Sequence, residues 1–188
     1  MGVLLIGAST GGPPVVCGIL SALPAPLPVP VVVVQHITAG FSKGFADWLQ
    51  QCSRHRTALV DRMMTMAAGT VYIAADDTNI TITANRTIRP ARTPHSTGAT
   101  PNIDQLFSSA AESCTSPVTA LLLTGMGSDG ASGLARLRAA GALTLGQAPD
   151  TCAVDSMPRS AIERGAVEKV LTPDEMASFL SRHLQKKP

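Results

Sequence analysis

Four stretches of the chain are apolar almost without a break: residues 3–7 (VLLIG), 29–35 (VPVVVVQ), 118–124 (VTALLLT) and 142–147 (ALTLGQ). A strand with one wet face alternates apolar and polar positions, whereas a strand covered on both faces of a parallel sheet is apolar throughout. Each run leads towards a segment of helical length: residues 11–23, 42–52, 130–140 and 156–165, and a last amphipathic helix is expected over Pro173–His183. Strand followed by helix, repeated, predicts an α/β doubly wound fold on a mainly parallel sheet.

The middle of the chain breaks this rhythm. Segments 57–62 (TALVDR), 69–76 (GTVYIAAD), 79–84 (NITITA) and 86–90 (RTIRP) are rich in β-branched residues and broken by Gly and Asn, with no room between them for a crossover helix. They predict an inserted antiparallel hairpin region over about residues 57–90. The Pro-rich run 23–30 (LPAPLPVP) reads as a stiff connection from the first helix to the second strand.

Composition narrows the function classes. The 188 residues suit a single domain, residues 1–188. A net charge of +2 and 3% aromatic residues argue against a nucleic-acid partner, which needs basic excess and stacking platforms. Cys17, Cys52, Cys114 and Cys152 form no C-x-x-C pair, so they read as reduced core residues rather than a metal or redox site. With neither a signal-peptide core nor an apolar run of about 20 residues, no membrane insertion is expected and a cytoplasmic protein is the default.

In an open parallel sheet the carboxyl ends of the strands line one edge, where ligands bind. Ser9 follows the first apolar run, His36 the second and Asp129 the third. Neighbouring strands lie about 4.8 Å apart, so residues distant in sequence can meet at that edge. A serine hydroxyl that gives its proton to an imidazole, itself held by a carboxylate, is the constellation for acyl transfer. Ser9 sits in Gly7-Ala8-Ser9-Thr10-Gly11, a G-x-S-x-G turn whose following helix start offers the Thr10 N–H to an oxyanion. The plain alternatives are that Ser9 or Thr10 caps the helix, that His36 bonds a backbone carbonyl, and that Asp129 is a helix cap.

A second reading comes from Gly125-x-Gly127-x-x-Gly130, the spacing of a dinucleotide-binding turn, with Asp150 about twenty residues on where a ribose-binding acid is expected. Against it, the motif lies late in the chain, and Asp129 places negative charge beside the pyrophosphate site.

The segments IGASTGG, VVVVQH leading to GFSKGFADWL, GTVYIAAD, PNIDQLF, LLLTGMGSDGASGL and SMPRSAI resemble, in that order, the chemotaxis protein-glutamate methylesterases of CheB type. The resemblance implies a serine hydrolase that removes the methyl group of γ-glutamyl methyl esters on the cytoplasmic helices of chemoreceptors, releasing methanol, with deamidation of receptor glutamines in many members. It implies Ser9 as nucleophile, His36 as general base, Asp129 as the acid that orients it, and the N–H groups of Thr10 and Met126 as the oxyanion hole, with no metal or organic cofactor. The partners implied are a methylated chemoreceptor cytoplasmic domain and a receiver domain, in the parent protein or in trans. Members usually begin with that receiver domain, so the catalytic part alone is expected here. A serine esterase or amidase with another target is the alternative. The chain departs from the family pattern at Thr100-Pro101-Asn102, at Asn79 where a histidine is frequent, and at Ser156-Met157-Pro158, where Gly-Met-Pro is familiar. Elsewhere, Arg92 and His95 read as a solvated loop, His55 and His183 as exposed, and Trp48 as packing beside Phe45.

Overall fold

The structure, a computed structural model, describes residues 2–91 and 100–185. Its elements run β1 (Val3–Ala8), α1 (Gly12–Ser21), β2 (Val31–Gln35), α2 (Ser42–Ser53), β3 (Arg56–Val60), β4 (Met64–Thr65), β5 (Thr70–Ala74), β6 (Asn79–Thr83) and β7 (Thr87–Ala91). After the gap come α3 (Ile103–Ser113), β8 (Val118–Leu122), α4 (Ala131–Ala139), β9 (Leu143–Gln147), α5 (Ser156–Glu163), β10 (Lys169–Leu171) and α6 (Pro173–His183). Seven strands form a parallel sheet in the order β10-β9-β8-β1-β2-β5-β3, and β4-β7-β6 form a small antiparallel sheet.

Side chains along a strand point alternately to opposite faces, so each buried strand feeds two cores. Leu5, Val32, Val34 and Leu122 pack against α3, α4, α5 and the small sheet, with Leu106, Phe107 and Leu134 opposite them. Leu4, Ile6, Val31, Val33 and Leu121 pack against α1, α2 and α6, through Val16, Leu20, Leu49 and Leu180. The Pro-rich connection lies on this second core, with Leu23, Leu27 and Val29 buried.

Three expectations are corrected. The antiparallel insertion comprises β4, β6 and β7, while β3 and β5 join the main sheet in parallel, with Thr57 beside Val71. The crossover between them runs through β4 of the small sheet rather than through a helix, which is why a search for helical spacing there finds nothing. Cys17 and Cys52 are joined by a disulfide between α1 and α2, and only Cys114 and Cys152 are free thiols. His55 is buried at 3% exposure, its Nε2 bonded to the Leu20 carbonyl at 2.9 Å, because the turn after α2 folds back under α1. His183 is exposed and stacks on Phe179. Phe45 is buried, while Trp48 stacks on it from outside and stays 41% exposed. Arg92 and His95 lie outside the described residues.

Candidate active site

Ser9 leaves the end of β1 in a turn held from three sides. Its N–H donates to Thr124 O at 3.0 Å, and its carbonyl accepts from Gly12 N and from Gln35 Nε2, both at 2.8 Å. The same Gln35 amide donates to His36 O at 3.0 Å, and His36 N donates to Ala8 O at 2.9 Å. One buried carboxamide therefore fixes the backbones of both residues. Gly12 makes room for it, since a Cβ there would stand 2.4 Å from Gln35 Oε1. Helix α1 is capped by Gly11 in the left-handed region at φ 78°, with no side-chain cap bond, so the hydroxyls of Ser9 and Thr10 are not spent on the helix. Ser9 Oγ has no hydrogen-bond partner among the described residues.

His36 Nε2 bonds Asp129 Oδ2 at 2.7 Å, both side chains being about one-seventh exposed, at 15% and 14%. With Nε2 on the carboxylate, Nδ1 is the ring nitrogen left to act as a base. Asp129 also accepts from Ile103 N at 2.8 Å and Asp104 N at 2.9 Å, so it caps α3 from the far side of the cleft. Burial would raise its pKa. The bonds from His36, Ile103 and Asp104 outweigh burial and hold it below the usual carboxylate value. Asp104 returns the favour to α4, accepting from Gly133 N at 2.5 Å, with the N–H groups of Gly130 and Ser132 also turned to it. Burial raises the Asp104 carboxyl, the Gly133 bond lowers it, and the neighbouring charge of Asp129 raises it further, leaving it above the usual value.

The glycine loop runs directly beside Ser9. A Cβ on Gly125 would stand 2.6 Å from Ser9 Cβ and 2.3 Å from Met157 Sδ. Gly125 N donates to Val154 O at 2.8 Å and Gly127 N to Ser156 Oγ at 2.9 Å, while the intervening Met126 N–H has no partner among the described residues. The Thr10 N–H likewise has none. Thr124 Oγ1 knits the two loops together through Thr10 O at 3.0 Å and Val154 O at 3.1 Å. The structure thus brings together Ser9, His36, Asp129, Thr10 and Met126. Gln35, Thr124, Asp104 and Ser156 were not anticipated in these roles. For Gln35 a signal existed, a polar residue closing a run of four valines.

A pyrophosphate has no place at this loop. The first turn of α4 is already occupied by the Asp104 carboxylate with Asp129 beside it, and Asp150 sits exposed in the short turn Pro149–Thr151. Among the described residues no group of three or more His, Cys, Asp or Glu could hold a metal ion, and no helix is long and apolar enough to cross a membrane. A hollow lined by Gly2, Pro30, Arg86 and Ser113 opens at the opposite, amino-terminal edge of the sheet, away from these residues.

A parallel sheet that gathers a serine, an imidazole and a carboxylate at its carboxyl edge has the layout used by serine hydrolases. Comparison with known proteins narrows this: a sequence profile of the CheB methylesterase family matches residues 4–180. The chain is 39% identical over 179 residues to protein-glutamate methylesterase/protein-glutamine glutaminase 3 of Paramagnetospirillum magneticum, covering 95% of this chain and 50% of that protein. It is 35% identical over 174 residues to the protein-glutamate methylesterase/protein-glutamine glutaminase of Clostridium acetobutylicum, covering 93% and 50%. The crystal structure of the Thermotoga maritima CheB methylesterase catalytic domain matches with a TM-score of 0.91 at 32% identity, over 96% of this chain and 97% of that one. The chain belongs to the CheB methylesterase family. It spans about half the length of the curated relatives it matches.

Proposed function

We propose that the chain acts as the catalytic part of a protein-glutamate methylesterase, hydrolysing γ-glutamyl methyl esters on chemoreceptor cytoplasmic helices and releasing methanol. Ser9 Oγ attacks the ester carbonyl while His36 Nδ1 takes its proton, and the carbonyl oxygen becomes an oxyanion between the N–H groups of Thr10 and Met126. His36 then gives the proton to the departing methoxide, so methanol leaves and a glutamyl ester of Ser9 remains. Water, deprotonated by His36, opens that ester to free glutamate and Ser9. Asp129 holds the Nε2–H tautomer throughout and stabilises the imidazolium. With a glutamine substrate the same steps release ammonia, which is the second activity in the relatives' names. A receiver domain, in the parent protein or in trans, and a cytoplasmic setting belong to the same proposal.

The observation that carries it is the 2.7 Å bond between His36 and Asp129, made beside a serine turn whose hydroxyls serve no helix. In unliganded hydrolases the bond from nucleophile to base is often completed only when substrate binds, which accommodates the unbonded Ser9 hydroxyl. The test is methanol release from a methylated receptor fragment. Ser9→Ala is expected to lower turnover by about 10⁶-fold, and Asp129→Asn by up to about 10⁴-fold with little change in substrate affinity. Near-native turnover in purified, folded Ser9→Ala would exclude the serine mechanism.

A further inference from the structure

We propose that Ser156 positions the oxyanion-binding N–H of Met126, an inference that rests on the role given to Met126 above. The Met126 N–H and the Gly125 carbonyl belong to one peptide plane. Because that plane is rigid and trans, its N–H points opposite to its C=O, and whatever fixes the carbonyl aims the N–H. Gly125 O accepts two bonds: from Ser156 Oγ at 3.0 Å and from Met157 N at 3.1 Å. Ser156 Oγ also accepts from Gly127 N at 2.9 Å, so a single hydroxyl bridges the residues on either side of Met126.

Gly127 lies at φ 96°, where glycine is at ease, and its chain neighbour Met126 is 69% exposed, so side-chain packing does not hold this turn. The Ser156 bridge holds it, together with the backbone bonds from Gly125 N to Val154 O and from Met157 N to Gly125 O. The clamped plane stands against the nucleophile, since a Cβ at Gly125 would lie within 2.6 Å of Ser9 Cβ. Donation into the Gly125 carbonyl also polarises the peptide and makes the Met126 N–H a better donor, as linked hydrogen bonds strengthen one another. Ser156 touches no reacting atom in this scheme. It is a positioning residue, one that enters through a position where the chain departs from its family's pattern.

The test compares the wild-type chain with Ser156→Ala, Ser156→Gly, Ser156→Thr and Ser9→Ala, using hydrolysis of p-nitrophenyl acetate and methanol release from a methylated receptor fragment. In the proteins that keep Ser9, active sites are counted with a fluorophosphonate so that misfolded protein does not enter the rates, and Ser9→Ala is compared per mole of protein shown to be folded by circular dichroism. Removing an oxyanion donor outright costs about 10²–10³ in kcat, so loosening one is expected to cost about 10-fold in Ser156→Ala and Ser156→Gly, with KM changed less than about twofold. A trifluoromethyl ketone that forms a tetrahedral adduct on Ser9 should lose affinity by the same factor, and Ser156→Thr, which keeps the hydroxyl, should retain most of the rate. A merely structural role would lower stability and the count of active sites but leave rate per active site and adduct affinity unchanged, and that result overturns the inference. If p-nitrophenyl acetate is cleaved in a Ser9-dependent way but the receptor fragment is not, the receptor assignment fails while the ester data still decide on Ser156. If Ser9→Ala leaves both reactions intact, the hydrolase reading and this inference fall together.

Discussion

Gly125 meets two side chains at once, and they differ in what they can yield. Met157 Sδ, 2.3 Å from an added methyl, belongs to a flexible thioether that can rotate, whereas Ser9 Cβ, at 2.6 Å, is part of a turn pinned by Thr124, Gly12 and Gln35. Gly125→Ala should therefore leave the fold intact and push the serine or the loop by an amount approaching about 1 Å, the shift that restores ordinary contact. Displacements of about 1 Å in a reacting geometry cost about 10²-fold in rate, so turnover per active site should fall by about that factor. Steady-state kinetics on p-nitrophenyl acetate would check this, and a rate within twofold of wild type would show that the loop does not need its glycine. Ser9, His36 and Asp129 were legible as neighbours in the sequence because Ser9 and His36 directly follow β1 and β2 and Asp129 lies in the loop that leaves β8, and the carboxyl ends of parallel strands share an edge. The roles of Gln35 and Ser156 were not. Gln35 stands out as a polar residue closing four valines, but the carbonyls these two residues hold lie 26 and 31 residues away, and nothing local in the sequence names such a partner.

Helices α3 and α4 exchange carboxylate caps: Asp129, just before α4, accepts from the first turn of α3, and Asp104, in the first turn of α3, accepts from that of α4. The two acids respond oppositely to pH. Asp129 is held below its ordinary value of about 3.9, so its stabilising contribution is present above that pH and is lost as the pH falls through its folded value. Asp104 is held above the ordinary value, so the fold favours its protonated form, and stability is lost as pH rises from about 3.9 through its folded value. In urea denaturation between about pH 3 and pH 6, the stability advantage of wild type over Asp129→Asn should shrink on the acid side of about 3.9. Its advantage over Asp104→Asn should instead grow as the pH falls towards that value from above. Parallel curves for all three proteins would deny the exchange. Element by element, the strands β1, β2, β8 and β9 and the helices α1, α2, α4, α5 and α6 were readable from apolar runs and the spacings that follow them. Helix α3 carries a regular stripe, Ile103, Leu106, Phe107 and Ala110 at i, i+3, i+4 and i+7, yet it follows no unbroken apolar strand, so the strand-then-helix rhythm that points to the others does not point to it. The short β10, with two exposed residues of three, carries too little pattern to be seen.

For the molecule as a whole, the disulfide from Cys17 to Cys52 ties the helix that follows Ser9 to the helix that follows His36. A cross-link with a sequence separation of 35 restricts the unfolded chain by an amount worth about 3–4 kcal/mol on loop-entropy grounds. The oxidised chain should unfold at higher denaturant than the reduced one by a shift of that order, and thiol counting in denaturant without reductant should find only Cys114 and Cys152. In the native state both should react slowly. Burial raises the Cys114 thiol, and burial with the nearby charge of Asp155 pushes Cys152 up to about 11. Four reactive thiols in the unreduced, unfolded chain would dismiss the cross-link. Spacing alone could not reveal it, because the pairing depends on how α1 and α2 lie side by side on one face of the sheet. The order of that sheet carries a consequence of another kind. Its outermost strand on one side, β10, is three residues long and opens with an exposed lysine. An outer strand presents unpaired N–H and C=O groups on which a second molecule can lay a strand of its own, and so begin a fibril. So short a row, with a charge at its start, gives a second chain little to hold on that side of the sheet.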